Sequence, residues 1–212
     1  MNITNCPDQS WLVSYSGGGA PESVKLILQA HMAVCPKCRS ALKLADQLGG
    51  QFLFSMDGEV TEEGKAPLPA VGLKSEEPVE WRKENVSDLT EVFNKYVGNN
   101  LSGFQWRAAG KGLRVCKLSE SDGYRLLMLR ADPGTVLPKH RHRGSELTLV
   151  LKGSYFCDDT IYRAGDVDDA DDDSPHQPMV TNDSECICIA AIDGPLRLSS
   201  PVHRMIQPFL GI

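Results

Sequence analysis

The chain has 212 residues, seven cysteines and a formal net charge of −6. That length allows one large or two small domains with a real core, and an acidic balance with no basic, aromatic-interleaved patch excludes a nucleic-acid surface. No apolar run reaches bilayer length and "MNITNCPDQSW" lacks a secretion signal, so the reading is cytoplasmic, where cysteines serve as metal ligands, redox thiols or core rather than as a disulfide framework.

The first fifty residues read as helices. "SWLVSYS" ends at Gly17, Gly18 and Gly19, and Pro21 with Glu22 suits the first turn of a second helix. Its Val24, Ile27, Leu28, His31 and Cys35 follow the 3.6 period. Pro36 opens a third helix, with Cys38, Ala41, Leu42, Ala45 and Leu48 on one stripe, expected to stop at Gly49 and Gly50. Residues 55–80, charged and proline-bearing, read as a linker, and 81–98 as a connecting amphipathic helix carrying Val86, Leu89, Val92, Phe93, Tyr96 and Val97 on one side. From Leu101 onward short runs such as "FQWRA", "LRVCKLS", "YRLLMLRA", "ELTLVLKGSY" and "CICIAAI" are divided by Gly, Asp and Pro, the texture of a β-sandwich or barrel.

Two clusters of metal-ligating residue types stand out. In "HMAVCPKC", His31 and Cys35 lie one helical turn apart and Cys38 follows at the start of the next helix, so three ligands converge at one junction. Cys6, ahead of the first helix, could complete a tetrahedral site of three thiolates and one imidazole, a set suited to structural zinc. About fifty helical residues have little core, and a bound ion contributes folding energy directly. The competing readings are a thioredoxin-like Cys-Pro-Lys-Cys couple, disfavoured by its place between helices, and unligated core cysteines.

The second cluster lies in "GTVLPKHRHRGSELTLVLKG". Residues two apart on a strand share a face, so His140 and His142 project together, and Glu146 and Thr148 take the face opposite Leu147, Leu149 and Leu151. Two imidazoles and a carboxylate, with His176 of "SPHQP" as a fourth, make a cage for a divalent ion. The bland alternative is an exposed face with Glu146 paired to a nearby Arg. The aspartate run "DVDDADDD" fails the calcium-loop spacing and reads as a solvated acidic loop. Cys116, Cys157, Cys186 and Cys188 read as core, and Trp11, Trp81 and Trp106 as core or interface aromatics.

The spacing Gly134, five residues, His140, one, His142, three, Glu146, six, Gly153 resembles the first motif of the cupin family, and Gly165 to His176 keeps the glycine and histidine of the second. A His-x3-Cys-x2-Cys helical module followed by such a domain resembles the zinc-dependent, cupin-bearing anti-sigma factors of the ChrR type. The match is carried by "HMAVCPKCR", "HRHRGSELTLVLKGSYFCDDT", "AGDVDDADD", "CICIAAIDGPLR" and "IQPFLGI", over residues 1–50 and 99–212.

The resemblance implies an α + β chain: a zinc-binding helical anti-sigma-like domain at 1–54 and an all-β jelly-roll cupin barrel at 99–212. By position Cys6, His31, Cys35 and Cys38 match the family's zinc ligands, and His140, His142, Glu146 and His176 its cupin ligands, for zinc, manganese, iron or nickel. It further implies an extracytoplasmic-function sigma factor as partner, sequestered until an oxidative signal reaches the cupin, with room for homo-oligomerisation. The alternatives are a metal-cupin enzyme of the dioxygenase, isomerase or lyase kind, for which no nucleophile or base beyond the ligands is evident, and a metal-dependent ligand-binding module.

Overall fold

In a computed structural model of the chain, the described residues are 2–55, 89–90, 93, 103–141, 144–170, 175–194 and 197–198. Three helices come first: α1 (Gln9–Ser16), α2 (Glu22–Val34) and α3 (Pro36–Ser55). The Asp8 side chain caps α1 by accepting from the Ser10 amide, and Pro21 precedes α2, where its missing N–H costs nothing.

Gly49 and Gly50 do not end α3, which runs on to Ser55. Neither takes the positive φ that a glycine stop requires, so the helical hydrogen bonds continue through both. Their cost, about 1 kcal/mol each relative to alanine, is too small to break a twenty-residue helix.

The strands follow in two main sheets. The larger has the order β1 (Arg107–Gly110), β2 (Leu113–Ser121), β3 (Tyr124–Ala131), β10 (Cys186–Asp193), β5 (Glu146–Lys152), β8 (Val167–Ala170). The smaller has the order β7 (Thr160–Arg163), β6 (Ser154–Cys157), β9 (Met179–Val180), and β4 (His140–Arg141) pairs with β11 (Arg197–Leu198). All pairings are antiparallel, as a jelly roll requires.

Strand parity separates two cores. One face of the large sheet presents Leu113, Val115, Leu127, Cys186, Cys188, Ala190 and Ile192 inward, against Tyr155, Cys157 and Val180 of the small sheet. The other presents Cys116, Leu126, Met128, Leu147, Leu149, Leu151, Ile187, Ile189 and Ala191 outward, and there Val24, Ile27 and Leu28 of α2 pack. Each fully buried aliphatic side chain contributes about 1.5–3 kcal/mol, so the helices and the barrel are joined by a shared core. β10, between β3 and β5, is apolar almost throughout because both its faces are covered.

Of the expected connecting helix, Leu89, Thr90 and Phe93 are described. Leu89 and Phe93 are fully buried in the shared core, and the Phe93 amide donates to the Leu89 carbonyl as in a helix. Of the expected linker 55–80, Ser55 is instead the last residue of α3, and 56–80, with Trp81, lies outside the described residues.

Candidate metal centres

The helical cluster assembles as its spacing requires. The ligand atoms of Cys6, His31, Cys35 and Cys38 all lie within 4.8 Å of one another. α2 places His31 and Cys35 one turn apart, and the Cys35 amide closes the last turn by donating to the His31 carbonyl. Pro36 then starts α3 with Cys38 on the same side.

The distances fit an ion. Zinc–sulfur bonds near 2.3 Å set tetrahedral S···S edges of about 3.8 Å. Cys6 Sγ and Cys35 Sγ are 3.8 Å apart, and His31 Nε2 lies 3.3 Å from Cys38 Sγ. His31 Nδ1 faces the Gly165 carbonyl oxygen at 2.8 Å, which fixes its N–H there and leaves the Nε2 lone pair for a metal.

Thiol protonation is already polarised. The hydrogen bond from Cys38, with His31 beside it, holds Cys35 well below the usual thiol range, while Cys38, its partner, is raised. A divalent ion would draw all three cysteines into the thiolate form.

The barrel cluster brings together His140, Glu146 and His176. His140 and His176 form an isolated antiparallel bridge, each amide donating to the other's carbonyl at 3.1 and 3.0 Å. Their rings meet edge to face with Nε2 atoms 3.1 Å apart, between the values of about 2.9 Å for octahedral and about 3.4 Å for tetrahedral nitrogen pairs at a metal. His140 Nδ1 donates to the Pro138 carbonyl at 2.8 Å, the same orientation device as at His31. Thr148 Oγ1 donates to Glu146 Oε1 at 2.7 Å, as their shared strand face predicts. His142 lies outside the described residues.

These residues line one part of a cavity of about 540 Å³ between the two sheets. Leu113, Val115, Leu127, Leu129 and Val180 supply its apolar wall, and Tyr155 and Asp168 add a second polar pair. Cys186 and Cys188, expected as core, are buried, touch through their sulfurs at 3.5 Å and face this cavity.

The acidic run corrects the sequence reading. Asp166 is fully buried and Asp168 sits on the cavity wall; neither belongs to a solvated loop. The run alternates along β8: Val167 enters the shared core, Asp168 faces the cavity, and Asp169 turns toward α1, where it accepts from the Asp8 amide and the Trp11 indole. Period-two alternation within "DVDDA" was the available signal, obscured by the density of charge. Residues 171–174 lie outside the described set.

A model of the ChrR cupin-like domain matches residues 95–195. The chain is similar to the anti-sigma-E factor ChrR of Cereibacter sphaeroides, with 29% identity over 214 residues covering 100% of both. It is also similar to a chain in the crystal structure of Rhodobacter sphaeroides SigE in complex with the anti-sigma ChrR. That match has a TM-score of 0.72 and 28% identity, covering 91% of this chain and 100% of that one.

Proposed function

Because the chain belongs to the ChrR family of anti-sigma factors, we propose that it sequesters an extracytoplasmic-function sigma factor through its helical module and releases it when an oxidative signal acts on the metal cupin. Its similarity to a chain crystallised with SigE supports the partner class. The observation that carries the reading for this chain is a stripe on α3. Leu44, Leu48 and Phe52 recur every fourth residue and are 57%, 59% and 68% exposed. Val13, on the neighbouring α1, is 60% exposed. Apolar side chains at that interval form the anchor pattern of a helix laid into a partner's groove.

Cys6, His31, Cys35 and Cys38 would hold zinc, pinning the start of the chain, the end of α2 and the start of α3 in one geometry. His140, Glu146 and His176, with His142, would hold the cupin ion. A bound ion at the helical site supplies crosslinking; one in the barrel supplies an electrophilic centre at the polar part of the cavity. The residues' own work is to orient it: Thr148 fixes Glu146, and Pro138 fixes His140. For the signal to switch the protein, it must stabilise the clasped and released states unequally, by about 5.5 kcal/mol for a shift from 1:99 to 99:1.

The test is co-expression with an extracytoplasmic-function sigma factor of the same genome. A stable 1:1 complex that is lost on Cys35→Ser supports the proposal. Folded, metal-loaded protein that passes every such sigma factor without binding overturns it.

A further inference from the structure

The helical cluster is completed from outside the helices. Cys6 lies in the irregular stretch that precedes α1, and that stretch is fixed by the barrel. Asp166, 0% exposed, accepts from the Thr4 amide at 2.7 Å, the Thr4 hydroxyl at 2.9 Å and the Asn5 amide at 2.9 Å. It also accepts from the Asn5 side-chain amide at 3.5 Å and, within its own turn, from the Arg163 amide at 3.0 Å. The Val167 amide donates to the Asn5 carbonyl at 3.1 Å, and Asp169 accepts from the Asp8 amide at 2.9 Å. Residues on both sides of Cys6 are therefore tied to the edge formed by the β7–β8 turn and β8.

The same edge supports a second ligand. Gly165, one residue before Asp166, is the acceptor for His31 Nδ1. A buried carboxylate is costly unless its oxygens are satisfied, and five donors satisfy this one. Four of those five come from Thr4 and Asn5, so the carboxylate is stable where it is only while the N-terminal stretch stays in place.

We propose that Asp166 is a positioning residue for the helical metal centre: through Thr4 and Asn5 it holds Cys6 at the fourth vertex, so the barrel edge sets how long the helices keep their ion. This rests on the reading of Cys6, His31, Cys35 and Cys38 as metal ligands. β8 also presents Asp168 to the barrel cavity, so one strand forms part of the cavity wall and part of the latch. Two residues of chain separate Asp168 on the cavity wall from Asp166 in the latch.

The experiment uses the full chain loaded with cobalt(II), whose thiolate charge-transfer band reports the helical site and not the barrel site. Asp166→Asn keeps the shape but turns one acceptor oxygen into a donor. It is expected to retain its helical circular dichroism, lose about a third of the band as one thiolate in three is no longer held, and bleach at least roughly ten-fold faster on addition of EDTA. Thr4→Val, at an exposed position, removes the hydroxyl's hydrogen bond to Asp166 and the one it accepts from the Asn5 side-chain amide, and should bleach a few-fold faster; it carries the test if Asp166→Asn fails to fold. A wild-type band and wild-type bleaching rate in folded variants overturn the positioning role. No thiolate band in the wild-type protein overturns the metal reading itself.

Discussion

The Tyr155 hydroxyl donates a hydrogen bond to Asp168 Oδ2 at 2.8 Å on the wall of the cavity that His140, Glu146 and His176 also line. Burial raises the Asp168 carboxyl above its usual range and the Glu146 charge adds to this, partly offset by the Tyr155 hydrogen bond. At a pH below the ordinary aspartate value, folded and unfolded chains both carry the proton. As pH rises the unfolded chain loses it first, so this group's contribution to stability declines through the window up to the raised folded pKa. In chelator-treated protein, Asp168→Asn should therefore lose less stability than wild type as pH rises from the ordinary aspartate value of about 4 through the raised folded pKa, read by urea unfolding. Parallel profiles would remove the basis for this reading of the cavity.

The stripe on α3 makes a separate prediction about binding. Leu44→Glu with Leu48→Glu places two charges where an apolar partner surface is expected, and should weaken the sigma complex by about 100-fold or more. Because both side chains are exposed, unfolding free energy should change by only about 0.5 kcal/mol per site. Isothermal titration and a thermal melt measure the two effects; a large stability loss with unchanged affinity would contradict the assignment of this face.

Two separate candidate ligand clusters predict separable metal contents. Elemental analysis of the intact chain should find about two metal equivalents. Cys38→Ser should leave about one and abolish the cobalt thiolate band; His140→Ala should leave about one with that band intact. Loss of both ions from either single variant would show that the clusters are not separate.

Gly153 is a place where the backbone admits no side chain. It has φ of +74°, and a Cβ there would collide with the Glu185 carbonyl oxygen. Glu185 is itself held by Arg130 at 2.7 Å and Lys152 at 3.1 Å, which limits its retreat. Gly153→Ala should cost about 2–4 kcal/mol in chemical denaturation, and near-wild-type stability would show that this turn relaxes.

Much of this protein was legible in its residues because the informative spacings are local. His31, Cys35 and Cys38 converge through helical period alone, and Glu146 shares a face with Thr148 through strand period alone. Tertiary structure decided the rest. Nothing near Cys6 ties it to the other thiols; its placement comes from Asp166, some 160 residues away, accepting from Thr4 and Asn5. The same long-range packing turned the described part of the aspartate run from an expected solvated loop into a turn with one buried carboxylate, Asp166, and a strand with one cavity carboxylate and one facing α1. Periodicity reports which residues share a face, but only the pairing of distant segments determines what that face meets, and burial follows from the second.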